Sequence, residues 1–231
     1  MLPRVSLVRG DDVDYLLFST RDAVSSSVFF NGSWASPLLA ISRLFYQGIN
    51  NPFIMDIGAN LGVYSIPVAK DIQAQGGLVY AFEPQRIIYY QLCGNVFLNR
   101  LDNVHTYCKA LGDEEGLIQL PAIDYNKSAN IGGFSIDESI RDITHSVETI
   151  KDKFEPEIPM VKLDNVNVPS SPCLIKIDVE GLELKVLSGG QQFLEKHSYP
   201  PLLLEAWSND WFEKDRKELL DFIEGLGYEI E

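Results

Sequence analysis

The apolar and polar positions fall into short apolar runs that alternate with stretches of helical period. Phe53-Ile54-Met55-Asp56 is a short run bounded by turn residues, which suits a strand buried in a parallel sheet. Gly58 and Gly62 follow, with Asn60 between them, and Val63 to Lys70 then takes up a helical beat. The unit is strand, glycine turn, helix. Leu78 to Phe82 is a second apolar run, and Gln85 to Arg100 a second helix with Ile88, Leu92 and Val96 on its apolar side. Val104 to Leu111 predicts a third strand, stopped by Gly112-Asp113, and Met160 to Asp164 is a further apolar run. Cys173 to Gly181 (CLIKIDVEG) supplies a central strand, a helix starts from Leu182, and Leu202 to Leu204 ends the series. Such alternation predicts an α/β fold: a Rossmann-like, mostly parallel central sheet with helices on both faces, shortened at the C-terminal end.

Two regions depart from the alternation. Residues 1 to 31 carry Val5–Leu7, Tyr15–Phe18 and Val28–Phe30 between charged or Ser-rich breaks, and predict small strands or an irregular lead-in. After the Asn31-Gly32-Ser33 turn, Trp34 to Gln47 predicts a covering helix whose stripe of Trp34, Leu38, Ile41, Leu44 and Phe45 faces the core. Packing is the expected role of Trp34, with a place on a ligand pocket as the alternative. Pro67 removes one helical hydrogen bond, so the helix after the first turn is expected to start late or bend. The second region, 116–159, holds an extra strand at Leu117–Leu120 and the glycine-rich Asn130-Ile131-Gly132-Gly133-Phe134. Ser135 and Glu138 fit a capping box for a helix carrying Ile136, Ile140, Ile143, Val147 and Ile150. An insertion of this length reads as a lid or substrate-binding element. The expected plan is one domain over 1–231: lead-in and covering helix at 1–50, core at 51–206, and a C-terminal helix with a short strand at 207–231.

Composition narrows the function classes. In 231 residues, 45% hydrophobic and 11% aromatic content suffices for a sizeable core. A net charge of −14 with no cluster of Lys and Arg argues against a nucleic acid gripped through its phosphates. Cys93, Cys108 and Cys173 stand apart without metal-ligand spacing, as buried free thiols of a reducing compartment would. There is no leader pattern at the N-terminus and no apolar run long enough to span a bilayer, so a soluble, cytoplasmic protein is expected.

Candidate chemistry gathers at the ends of the strands. A glycine turn at a helix start, beside the carboxyl end of a strand, is where open α/β sheets bind ligands. A dinucleotide fingerprint needs glycine at 58, 60 and 63, but Asn60 and Val63 stand at two of these; a P-loop fails for want of Gly-Lys-Ser/Thr. Asp56, taken as a strand tip, would repel a pyrophosphate and attract an ammonium. Glu83 lies 21 residues past Gly62, the spacing at which a strand-end carboxylate reaches a ribose and accepts from both hydroxyls. Lys176, on the strand face of Leu174 and Asp178, needs an acidic partner, and Asp178, Asp56 and Glu205 are available. Four separate strand ends thus carry acids: Asp56, Glu83, Asp178 and Glu205.

Taken in order, DIGANLGVYS, AFEP with NVFLN, ALGD, NIGG, IKIDVEG with VLSGG, and PLLLE form a succession over roughly residues 30 to 206. This succession resembles the FkbM family of S-adenosylmethionine-dependent methyltransferases. The resemblance implies a class I methyltransferase fold and S-adenosyl-L-methionine as cofactor. It implies that Asp56, Gly58, Ala59, Asn60, Gly62, Tyr64 and Ser65 line the methionine end and turn, that Glu83 and Pro84 meet the ribose, and that Ala110, within Lys109–Leu111, lies near the adenine. Asp178 would sit beside the methyl group and acceptor, with Lys176, Glu180 and Glu205 close behind. Asn130, Gly132, Gly133 and Trp207 would belong to the substrate or lid side. Such enzymes methylate oxygen, often on sugars, so the implied acceptor is a sugar or glycan hydroxyl. A non-sugar small molecule and a catalytically silent binding domain are the alternatives.

A hydroxyl is a poor nucleophile near neutral pH and calls for a general base within hydrogen-bond reach. Asp178 is the first choice, with Glu180 and Glu205 in reserve; His105, His145 and His197 fit surface or capping roles. A divalent metal on Asp178, Glu180 and Glu205 is conceivable, but nothing in the spacing demands one and none is expected. Two departures from the family pattern stand out. Ala35 and Ser36 follow Trp34 where an acid is common, and Tyr228 to Glu231 ends the chain where a sixth strand would begin. The closing hairpin is therefore expected to be absent or shortened; either the N-terminal segment substitutes for it or the chain is one domain of a longer polypeptide.

Overall fold

The computed structural model describes residues 4–10, 12–34, 36–127, 130–145 and 147–230. Ala35 and Glu231, which figure in the departures above, lie outside the described residues. Strands β1 (Val5–Arg9) and β2 (Asp14–Phe18) form an antiparallel hairpin, followed by helices α1 (Ala23–Asn31) and α2 (Ser36–Tyr46). Then come β3 (Phe53–Ile57), α3 (Ser65–Gln73), β4 (Leu78–Phe82), α4 (Arg86–Leu98) and β5 (Val104–Tyr107). The insertion holds β6 (Ala110–Gly112), β7 (Gly116–Ile118), β8 (Pro121–Ile123), α5 (Glu138–Thr144), β9 (Thr149–Phe154) and β10 (Ile158–Lys162). The chain closes with β11 (Leu174–Ile177), α6 (Glu183–Ser188), α7 (Gln191–Lys196), β12 (Leu202–Leu204) and α8 (Glu213–Gly225).

The central sheet is five-stranded and wholly parallel, in the order β12-β11-β3-β4-β5. Its two faces feed two cores, as the two-residue period of a strand requires. Phe53, Met55 and Ile57 join Ile175 and Ile177 against Val186 and Leu187 of α6, Leu194 of α7, and Leu219 and Ile223 of α8. Ile54 and Leu174 face the other way, into a core shared with α2, α3 and the hairpin residues Tyr15 and Leu17. Asp56 and Lys176 lie on this second face, directly opposite each other in the β3–β11 ladder.

Several expectations are corrected. The third strand breaks in two. A tight turn, in which the Lys109 amide donates to the Tyr107 carbonyl across 3.0 Å, peels the chain off β4, and β6 enters a separate sheet in the order β6-β10-β7. On α2 the buried positions are Leu39, Ser42 and Tyr46, while Ile41 and Leu44 are 44% and 76% exposed. Polar contacts choose that face: the Ser42 hydroxyl hydrogen-bonds Tyr64 Oη at 2.7 Å and Tyr46 donates to Asp71. Helix α3 does start late, as expected, at Ser65, and Pro67 sits in its first turn, where an amide has no helical partner to lose. Helix α5 is capped by Asp137 rather than Ser135 and ends at His145 in a left-handed conformation, so Ile150 falls in β9 instead of continuing a helix.

The lead-in is a hairpin and a helix, with Val28–Phe30 inside α1. The hairpin adds no strand to the central sheet. Its β2 edge is capped by side chains of α4, the Leu16 and Asp14 amides donating to Asn95 Oδ1 and Asn99 Oδ1. After β12 the described residues contain no strand, so the short C-terminal one is absent there; Tyr228 instead donates its hydroxyl to the Pro200 carbonyl. The three cysteines are free but half-buried. Among the described residues no helix is long and apolar enough to cross a membrane.

Candidate active site

A cavity of about 360 Å³ opens at the carboxyl ends of β3, β4, β11 and β12. Its floor is the turn after β3. Gly58 and Ala59 both donate their amides to the Phe82 carbonyl, at 3.0 and 2.9 Å, which draws this turn against the end of β4. Gly58 has φ +84°, and a Cβ there would overlap the backbone oxygen of Asp178, so only glycine lets the two strand ends approach this closely. Gly62, at φ +95°, serves packing as well, since its missing Cβ makes room for Ile66 and Leu92.

Glu83, the residue after β4, is 4% exposed. Its Oε2 accepts from the Asn60 amide at 2.9 Å and its Oε1 from the Gln85 amide at 2.8 Å. Burial pushes this carboxyl up to about 7 against the pull of those two amides. Each oxygen keeps a lone pair for a further donor.

Asp56 is not the open strand tip the sequence suggests. It is the fourth of five residues in β3, fully buried, and its oxygens are taken by the Ser65 hydroxyl and by Lys176 Nζ at 3.0 Å. Lys176 also donates to the Gly58 carbonyl at 3.2 Å and pairs with Asp178 Oδ2 at 3.3 Å. Burial alone would lower this ammonium's pKa, but Asp178 and Asp56 outweigh it and hold it above its ordinary value. Glu205 takes no part in the pairing.

Asp178, Glu180 and Glu205 bring carboxylate oxygens within 4.8 Å of one another, the one such trio among the described residues and a set of hard ligands suited to a divalent cation. Glu180 sits at φ +57° and its carboxyl is pushed up to about 9, by burial first and then by the charges of Glu205 and Asp178. Glu205 is raised too, by burial and then by Asp178 and Glu183. Beside them Trp207 packs on Trp211 and Phe212, with ring centroids 5.6 and 5.0 Å away.

The cavity brings together Gly58, Ala59, Asn60, Tyr64, Glu83, Pro84 and Ala110 with Lys176, Asp178, Glu180 and Glu205. Asn130, Gly132, Gly133 and Trp207 line it as well, and so does Trp34. Asp56, Gly62 and Ser65 stand behind the wall. Of the histidines, His105 lies in β5, His145 ends α5 and His197 ends α7.

Two residues escaped the sequence reading. Glu183, 2% exposed, accepts from the Val179 amide at 2.9 Å and so shapes the turn that carries Glu180; an acid opening a helix just after Gly181 was the available signal. Asp22, 1% exposed, caps α1 at the Ser25 amide and also accepts from the Ile131 amide at 3.0 Å. It thereby pins the glycine-rich loop, where a Cβ on Gly132 would overlap the Asn60 side chain. An Asp before an apolar stretch announces the cap, but nothing in the sequence announces its second partner.

A parallel sheet with a glycine turn after its middle strand, an acid at the next strand end and a cavity spanning both defines the class I methyltransferase fold, whose cofactor is S-adenosyl-L-methionine. Residues 56–230 match the family model described as the methyltransferase FkbM domain. The chain belongs to that family. Methyltransferase sdnD of Sordaria araneosa is 29% identical over 210 residues, covering 78% of this chain and 75% of that protein. A tRNA(Phe) (4-demethylwyosine(37)-C(7)) aminocarboxypropyltransferase of Methanocaldococcus jannaschii is 37% identical over 62 residues, 27% of this chain and 24% of that protein. The crystal structure of methyltransferase FkbM from Methylobacillus flagellatus aligns with a TM-score of 0.46 at 19% identity, over 77% of this chain. The chain spans only 36% of the length of that crystallised protein.

Proposed function

We propose that this chain transfers a methyl group from S-adenosyl-L-methionine to a hydroxyl oxygen, most often that of a sugar or glycan. The observation that carries this reading is the position of Asp178: one residue past β11, on the cavity, its backbone against Gly58 of the turn and its carboxylate within 4.8 Å of two further carboxyls. The residues present fit the cofactor. Gly58 to Asn60 give a close-approach turn, Glu83 is a buried carboxylate with accepting capacity left for ribose hydroxyls, and Ala110 flanks the space suited to a base. When bound, the cofactor supplies an electrophilic methyl group on a sulfonium. The protein's part is to align an acceptor and take its proton. Asp178 acts as the base. Glu180, raised by burial and then by Glu205 and Asp178, and Glu205, raised by burial and then by Asp178 and Glu183, retain protons near neutral pH and donate to neighbouring acceptor oxygens. Trp207 offers a flat apolar face of the kind a sugar ring covers.

A hydroxylated small molecule with an apolar body is the second reading, favoured by Val24, Trp34 and Leu38 on the opposite wall. A polyanionic acceptor is disfavoured by the acid trio and by the net charge of −14. The test is transfer from S-adenosylmethionine labelled in its methyl group to a panel of mono- and oligosaccharides and hydroxylated aglycones, with Asp178→Asn as control. Label in a sugar ether, lost in the variant, supports the proposal. Label only in nitrogen-linked or nucleic-acid products, or full transfer by the variant, overturns it.

A further inference from the structure

We propose that Lys176 is a positioning residue whose single ammonium clamps the candidate base Asp178 to the cofactor turn. The inference rests on the reading of Asp178 above and adds to it what holds that residue in place. The three protons of Lys176 Nζ meet three acceptors: Asp56 Oδ1 at 3.0 Å, the Gly58 carbonyl at 3.2 Å and Asp178 Oδ2 at 3.3 Å. These lie on a strand interior, on the turn that follows it, and at the end of the neighbouring strand. Among the described residues no other side chain bridges the three.

The alternative is that Lys176 is there only to neutralise Asp56. The geometry argues against it, because Asp56 already accepts from Ser65, and an ammonium serving Asp56 alone would not need to reach Gly58 or Asp178. Exposure rises outward along the set: the Asp56 side chain is 0% exposed, Lys176 6% and Asp178 34%. One cation between two carboxylates leaves a net negative charge, and it rests on the member that faces the cavity. The other charged groups around Asp178 are the acids Glu205 after β12, Glu180 on the turn and Glu183 on α6, and among the described residues Lys176 is the cation set against them. The Tyr64 ring, 5.5 Å from Nζ, closes the remaining side.

The experiment follows Asp178 directly and needs no acceptor. Aspartate carboxyl carbons are labelled with carbon-13, Asp178→Asn assigns the resonance, and the full chain is observed by NMR at one fixed pH. In Lys176→Met the Asp178 resonance is expected to move and broaden, since the side chain is no longer held. That variant leaves Asp56 buried without a counter-charge, so Asp56→Asn/Lys176→Met is measured beside it as the form that keeps the fold. A displaced, broadened Asp178 resonance in the double variant, with affinity for S-adenosylhomocysteine reduced about tenfold by calorimetry as Gly58 loses its donor, supports the clamp. A wild-type resonance or a wild-type affinity in the double variant overturns it. Labelled transfer by Asp178→Asn decides the base reading separately: that reading can fail while the Lys176 effect persists, and the reverse.

Discussion

The Asn60 amide donates to the Glu83 carboxylate across 2.9 Å, which joins the turn after β3 to the end of β4 through one oxygen. A ligand held by Glu83 is therefore held by both strand ends. Glu83→Gln removes the charge and turns one acceptor into a donor facing a backbone amide. Affinity for S-adenosylhomocysteine is expected to fall about 10–100-fold, the worth of a charge-assisted bond, as calorimetry would read.

Because burial raises the Glu83 carboxyl to about 7, its protonated form accumulates below neutrality in the cofactor-free protein. Only the carboxylate accepts from both hydroxyls of a ribose. The dissociation constant should rise as pH falls below 7, by up to about tenfold per unit, and level off above it. Glu83→Gln should show no such limb between pH 5 and 8.

Stability should move the opposite way. Glu83, Glu183, Glu205 and Glu180 all have carboxyls raised above the ordinary value, so the folded chain binds more protons than the unfolded one from about pH 4.5 upward. Unfolding free energy then declines with rising pH until these groups have ionised, at about 7 for Glu83 and Glu183 and about 9 for Glu180. The ligand-free protein should melt several degrees lower at pH 9 than at pH 6 (on the order of 5 °C). S-Adenosylmethionine, which carries a positive charge, should narrow that gap more than its neutral demethylated product does. A melting temperature that climbs from pH 6 to 9 would count against the buried acid cluster.

Gly58→Ala is expected to cost on the order of 3 kcal/mol in urea unfolding, because the added carbon meets the rigid Asp178 backbone at a positive φ. Gly132→Ala meets only the Asn60 side chain and should be milder. The double variant Asn60→Ala/Gly132→Ala should recover most of that smaller loss.

Asp22→Ala removes a helix cap worth about 1 kcal/mol and leaves the buried Ile131 amide without its acceptor. Hydrogen exchange at Ile131 should accelerate about tenfold or more, while amides in β3 stay protected.

How much of this was legible turns on the range of the interaction. The parallel sheet and its glycine turn can be read from 53–83, because a buried strand and a sharp turn are local properties of a few residues. Lys176 could be assigned acidic partners from cost alone, although only their meeting in space selects Asp56 and Asp178 over Glu205. Asp56 was misplaced by one step of the ladder: whether an acid ends a strand or lies inside it depends on where β4 and β11 stop pairing. The α2 stripe failed because hydrogen bonds to Tyr64 and Asp71 outweighed the apolar period. Asp22 was invisible as an anchor of the glycine-rich loop since its partner lies 109 residues away.

That last distance bears on where a working unit begins. A piece trimmed to the 56–230 span that matches the family would keep every strand-end acid and both glycines of the turn, yet leave Ile131 unfastened and Trp34 missing from the wall. The strand-end acids would stay in place, while the glycine-rich loop would lose the side chain that fastens it.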